Sequence, residues 1–178
     1  MVRRPPLEDR SVVHPWVSVT AAEPASRLSL RAPEDSVAAV SKALGLALPQ
    51  QPKTSARKGK RVALWLGPDE WMIIDPTGAG LTAPLAKVTA FHSGVDISHR
   101  NTAILVSGEG AQATLSSGCP QDLSLAAFPV GACSRTVLAK IEIVLLRTGE
   151  NEFRVECWRS FSDYAFAFLE DAARDSAF

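Results

Sequence analysis

The chain has 178 residues, 46% of them hydrophobic, with 19 basic and 19 acidic side chains. That length buries roughly 70% of the surface the unfolded chain exposes, so a metal or disulfide staple is not required. Balanced charge excludes the global basic field that gathers nucleic acid or anionic lipid.

The first 15 residues carry several charges and the adjacent prolines Pro5 and Pro6, which predicts a flexible arm ahead of a single domain over 16–178. Arg3 and Arg4 are not followed by an apolar core, so the segment does not read as a signal peptide. No stretch approaches the ~20 apolar residues of a membrane span, and a cytoplasmic location is expected. Residues 16–20 and 27–31 alternate apolar with polar side chains, the two-residue period of half-buried strands. Pro33 suits the first turn of a helix, with Glu34 and Asp35 at its positive end. Val37, Val40, Leu44 and Leu48 repeat at helical spacing, and Gly45 offers a stop.

Residues 49–60 read as a polar connector. Lys53, Arg57, Lys58, Lys60 and Arg61 place five basic groups in nine residues, which suits a solvated loop or a site for phosphate or an acidic partner. Aromatic side chains that would stack bases are absent there. Apolar runs at 62–66 and 71–75, joined through Gly67-Pro68-Asp69, predict a hairpin. A helix is expected over 81–90 and strands over 95–98 and 102–107, followed by a short helix over 110–117 that ends at Gly118. Strands over 135–139, 140–147 and 152–157 come next. Ser160 and Asp163 resemble a capping box, and Phe161, Tyr164, Ala165, Phe168, Leu169 and Ala172 mark the predicted buried face of the last helix. Hairpins interspersed with helices point to an α+β fold of two ferredoxin-like halves, 16–100 and 101–178, with mostly antiparallel sheets.

Candidate chemistry is sparse. Gly78, Gly80 and Ala83 match the G-x-G-x-x-G/A dinucleotide fingerprint, with Asp96 downstream, but Pro76 and Pro84 bracket the loop and recurrent βαβ order is missing. His14, His92 and His99 are scattered without metal-ligand spacing. Asp96, Ser98 and His99 cannot converge on a strand, because His99 faces the opposite side. Cys119, Cys133 and Cys157 are an odd number without a Cys-x-x-Cys pair, which suits reduced thiols. The sequence places no base beside Cys119, and the adjacent carboxylates Asp69-Glu70 and Glu170-Asp171 read as solvated. Trp16, Trp65, Trp71 and Trp158 suit a core or a subunit interface equally well.

Five segments in chain order resemble one family. They are Leu66-Gly67-Pro68-Asp69-Glu70-Trp71, Val95-Asp96-Ile97-Ser98-His99-Arg100 and Gly118-Cys119-Pro120-Gln121-Asp122-Leu123, with residues 128–136 and 158–164. Together they are similar to gamma subunits of heterotetrameric sarcosine oxidase, although Gln121 replaces that family's usual leucine. The resemblance implies a fold related to the folate-binding domain of aminomethyltransferase. It also implies a complex with alpha, beta and delta subunits in which this chain lies closest to alpha and carries no cofactor or active site. FAD, FMN, NAD, zinc and tetrahydrofolate are implied for the other subunits. The assembly would oxidise sarcosine with oxygen to glycine, hydrogen peroxide and a one-carbon unit that tetrahydrofolate accepts. A stand-alone folate-binding or one-carbon-transfer module is the alternative, because kinship of fold does not carry function.

Overall fold

The structure is a computed structural model that describes residues 6–175. The chain opens with strands β1 (Ser11–Val13) and β2 (Ser18–Ala21). Strand β3 (Ser26–Arg31) leads through a 3-10 turn (Glu34–Ser36) into helix α1 (Val37–Leu44). Strands β4 (Ser55–Lys58), β5 (Arg61–Gly67) and β6 (Glu70–Asp75) follow, then a 3-10 turn (Leu85–Lys87) and β7 (Ser93–Asp96). Strand β8 (Asn101–Ser107), helix α2 (Ala111–Ser116) and strands β9 (Cys133–Leu138), β10 (Ile141–Gly149) and β11 (Glu152–Trp158) come next. Helix α3 (Ser162–Asp175) completes the described chain.

The elements divide into two units, one of Pro24–His99 and one built from the chain up to Glu23 together with the chain from Arg100 onward. Each has one sheet in which every pairing is antiparallel: β4-β5-β6-β3-β7 in the first, β1-β2-β8-β11-β10-β9 in the second. Inside both runs the same ferredoxin-like order, with the first strand of the motif between its third and fourth. In the Pro24–His99 unit β7 is that fourth strand. In the other unit the fourth strand is β2, donated from ahead of Pro24. The expected boundary at 16–100 is therefore corrected: residues 16–23 belong with the later elements, because Val19 pairs with Val106 on β8.

The expected arm also changes. Residues 1–5 lie outside the described residues. From Leu7 onward the chain is anchored, with Leu7 buried in the core and Val12 paired with Val19. Arg10 lies 4.3 Å over the Phe166 ring and 3.1 Å from Asp163 on α3.

In the Pro24–His99 unit α1 covers one sheet face. Val40 and Leu44 pack with Leu28, Leu30, Trp71 and Ile73, each fully buried aliphatic side chain contributing roughly 1.5–3 kcal/mol. Gly45 ends the helix at φ 65°, and the Leu46 N–H returns to the Ser41 carbonyl, the hydrogen-bonding pattern of a Schellman stop. The Ser41 hydroxyl accepts from the Leu48 N–H at 3.1 Å and holds Leu48 in the core. Two elements differ from the sequence reading. The connector 49–60 contains β4, an edge strand paired with β5 and missed because Ser55-Ala56-Arg57-Lys58 shows no apolar alternation. The helix expected over 81–90 is only the 3-10 turn, since Val88 is already extended and Leu81 and Leu85 alone are buried.

In the second unit α2 and α3 cover the face bearing Ile104, Val106, Leu145, Phe153 and Val155. Arg147 is buried here, donating to the carbonyls of Leu123 at 2.7 Å and Phe128 at 2.8 Å. Those bonds fasten the long α2–β9 connection to β10.

Candidate functional site

Only part of the predicted face of the last helix packs: Ala165, Leu169 and Ala172 are buried as expected, while Phe161 and Tyr164 are exposed. The buried face of α3 is Ser162, Ala165, Phe166, Leu169, Ala172 and Ala173. Two apolar stripes overlap in this sequence. The one that packs has small alanines, which let the helix approach the sheet, and a single large Phe166. The Ser162 hydroxyl donates to the Arg159 carbonyl at 2.8 Å inside the preceding 3-10 turn (Arg159–Phe161), while Trp158, ahead of that turn, makes no side-chain cap. Ser160 therefore does not form the expected capping box.

Phe161 and Tyr164 consequently face outward. Trp158 is 43% exposed, Phe161 41% and Tyr164 40%. The Trp158 and Phe161 rings stack with centroids 6.0 Å apart, and Tyr164 lies 6.5 Å from Phe168. The Arg100 guanidinium lies 5.2 Å from the Trp158 ring centre, a cation–π distance. The turn that carries it, just ahead of β8, is tied to the same corner, because the Arg159 N–H donates to the Arg100 carbonyl at 2.7 Å. Large aromatic area beside an arginine is the composition of binding hot spots. The sequence signal was present in the aromatic spacing, but only the phase of the helix decides which stripe is outside.

The other tryptophans have different roles. Trp71 is buried, and its indole N–H donates to the Pro49 carbonyl at 2.7 Å, so it is a core residue and leaves the candidate surface. Trp16 is half-buried and donates to the Ala173 carbonyl at 3.3 Å. Trp65 is half-buried against the core of the Pro24–His99 unit.

The remaining candidates resolve into structure. Gly78–Ala83 leads into the 3-10 turn, so the helix N-terminus that a pyrophosphate requires is missing. A Cβ on Gly80 would meet nothing within 4 Å, and Gly78 is explained by its φ of 75°; this loop does not fit a dinucleotide. The Ser98 hydroxyl accepts from the Arg27 N–H at 2.8 Å and the Ser98 N–H donates to Asp96. Hydrogen bonds from the Ser98 hydroxyl and the Ser98 amide hold the Asp96 carboxyl below its ordinary pKa. Both residues fasten β7 to β3. Cys119, Cys133 and Cys157 are buried free thiols, and the Cys119 sulfur lies 3.9 Å from the Thr136 hydroxyl. Asp69 and Glu70 pair with Arg31, and Glu170 and Asp171 with Arg174. His14 stacks on Trp16, while the His92 ring is bonded to the Ala90 carbonyl. Among the described residues no group of three His, Cys, Asp or Glu is gathered to hold a metal ion. No described helix is long and apolar enough to cross a membrane.

Comparisons with known proteins agree on one family. Residues 31–175 match the model of the sarcosine oxidase gamma subunit family. Curated relatives include sarcosine oxidase subunit gamma of Corynebacterium sp. strain P-1 and of an Arthrobacter species. Each is 37% identical over 143 residues, which is 79% of this chain and 70% of the relative. Among solved structures, a chain of heterotetrameric sarcosine oxidase from Corynebacterium sp. U-96, in complex with pyrrole 2-carboxylate, superimposes with a TM-score of 0.82 at 28% identity. That match covers 91% of this chain and 86% of the other. Aminomethyltransferase T of the glycine cleavage system from Bartonella henselae shares the fold at a TM-score of 0.64 and 11% identity, over 89% of this chain and 46% of its own.

Proposed function

The chain belongs to the sarcosine oxidase gamma subunit family, and from that membership we propose that it is a non-catalytic, cytoplasmic subunit of a heterotetrameric sarcosine oxidase. Its partners in this reading are the alpha, beta and delta subunits, with alpha its nearest neighbour. The assembly performs the oxidative demethylation of sarcosine, with tetrahydrofolate as the one-carbon acceptor. FAD, FMN, NAD and zinc reside on the other chains, as does the folate-handling region.

The observation that carries the docking role is the outward-facing cluster of Trp158, Phe161 and Tyr164. Stable interfaces bury about 800 Å² per partner, and their energy concentrates in a few aromatic and arginine side chains near the centre. Trp158 with Arg100 over it supplies such a centre. Several polar groups of the kinds used in catalysis are engaged in holding strands and turns: Ser98 on Arg27, Asp75 on Thr77 and Arg61, Arg147 on the 123–128 segment.

Co-expression with the three other subunits tests the reading. The chain is expected to copurify with them in stoichiometric amount, and alone it is expected to turn over no sarcosine and to bind no tetrahydrofolate. Assembly of a fully active oxidase that excludes this chain would contradict the proposal. Tight folate binding by the chain alone would favour an independent one-carbon module.

A further inference from the structure

The structure assigns a second contact surface, in the Pro24–His99 unit: a basic groove between the C-terminal end of α1 and the β4–β5 edge, which receives an extended carboxylate-rich segment of another subunit. The inference rests on the reading of this chain as a subunit and adds the chemistry of one of its contacts.

Charge is unevenly divided along the chain. Pro24–His99 holds nine Lys and Arg against six Asp and Glu, while the remainder holds ten against thirteen. Within the basic unit, Asp69 and Glu70 are occupied by Arg31 and Asp75 by Arg61. Lys42, Arg57, Lys58 and Lys60, by contrast, have no ion-pair partner among the described residues. These four cations come from three separate elements yet line two adjoining depressions. Lys42, Arg57 and Lys58 border one; Lys58, Lys60 and Arg61 border the other; Lys58 and Gly45 belong to both. Arg61 is the fixed point of the groove. It donates through Nε to Asp75 at 2.9 Å and through its terminal nitrogen to the Leu44 carbonyl, locking the helix end to β5 and β6.

Lysines on an edge strand commonly serve only to discourage pairing with another edge. Arg57 and Lys58 on β4 do this, and they disfavour a second copy of the same edge because like charges would face each other. That role does not account for Lys42 on α1 or Lys60 in the turn. An extended acidic segment satisfies all of them, and it can lie beside β4, which is paired on one side only. Complementary charge of this kind fixes orientation and speeds encounter.

The test captures the co-expressed complex through a tag on the full-length chain and washes it with rising salt. Lys58 and Lys60 are exposed and unpaired among the described residues, so K58E/K60E is expected to fold normally. It should be recovered with the other subunits about tenfold less well at low salt, with K58Q/K60Q between it and wild type. K87E reverses a charge elsewhere on the same unit and should behave as wild type. Unchanged retention and salt response of K58E/K60E would overturn the inference and leave the subunit reading intact. An equal loss in K87E would also overturn it, since net charge and not the groove would be responsible. A homo-oligomer of the chain that K58E/K60E dissolves would replace the acidic segment with a second copy. A wild-type chain that fails to copurify would remove both this inference and the proposed function.

Discussion

Arg147 donates to the carbonyl of Phe128 at 2.8 Å, and its guanidinium lies 4.7 Å over the Phe153 ring. The same side chain reaches the Leu123 carbonyl at 2.7 Å and the Glu150 carbonyl at 3.1 Å. Burial lowers its pKa, which the nearby Glu150 charge partly offsets. A buried cation that satisfies several backbone carbonyls keeps the 123–128 segment and the β10–β11 turn in place together. Arg147→Met, which keeps the volume but removes every donor, should cost roughly 3 kcal/mol or more. Arg147→Lys should recover part of that, having charge but no planar fork. Denaturant midpoints of the full-length chain measure both; a loss below about 0.5 kcal/mol in the methionine variant would contradict the assignment.

Gly108 has a φ of 113°, and a Cβ placed there would come within 2.3 Å of the Trp16 carbonyl oxygen. Gly80, in the fingerprint-like loop, has open space at the same position. Gly108→Ala should therefore destabilise by roughly 1–3 kcal/mol, while Gly80→Ala should stay within about 0.5 kcal/mol of wild type. Thermal melts of the two variants side by side give the comparison. A tolerated Gly108→Ala would mean that the β2–β8 junction is looser than the structure describes.

Asp75 is almost fully buried. Burial pushes its pKa up, but hydrogen bonds from the Thr77 hydroxyl and amide, with Arg61 beside it, outweigh that effect and hold it below its usual 3.8. A carboxylate depressed in the folded state binds protons less readily than in the unfolded chain, so its stabilising contribution is present above pH 3.8 and is lost as pH falls through the folded-state value. Asp75→Asn should lower stability at neutral pH and flatten the acid limb of a stability-versus-pH curve. An acid limb that keeps its slope in the variant would assign the effect to other carboxylates.

Much of this fold is written in local patterns. Leu28 and Leu30, like Trp71 and Ile73, alternate as strand residues should and are buried on one sheet face. The Val37–Val40–Leu44 spacing also gives the buried face of α1. What local patterns did not carry is partnership. Nothing in residues 18–21 says that their neighbour is β8, more than eighty residues away. Ser55–Lys58 becomes a strand only because β5 offers it an edge. Of the candidate surface, Trp158 was legible in the sequence and the outward turn of Phe161 and Tyr164 was not, for a similar reason: Phe161-Tyr164 and Ala165-Phe166-Leu169 both satisfy helical spacing, and only the sheet beneath, together with Ser162 bonded back to Arg159, selects between them.

Trp158 and Tyr164 are exposed and stand outside the buried core cluster, so Trp158→Ser with Tyr164→Ser should cost the isolated chain at most about 1 kcal/mol of stability. Recovery with the other subunits should fall by at least about tenfold, as expected when hot-spot aromatics are truncated. A large drop in stability accompanied by intact assembly would return these rings to a purely structural role.

Oxidative footprinting of Trp158 and Tyr164, in the chain alone and in the co-expressed four-subunit oxidase, addresses the docking surface most directly. Both rings should be modified readily in the free chain and protected in the complex, while half-buried Trp65 should change little. Equal modification of Trp158 and Tyr164 in the two samples would contradict a partner seated on this aromatic corner.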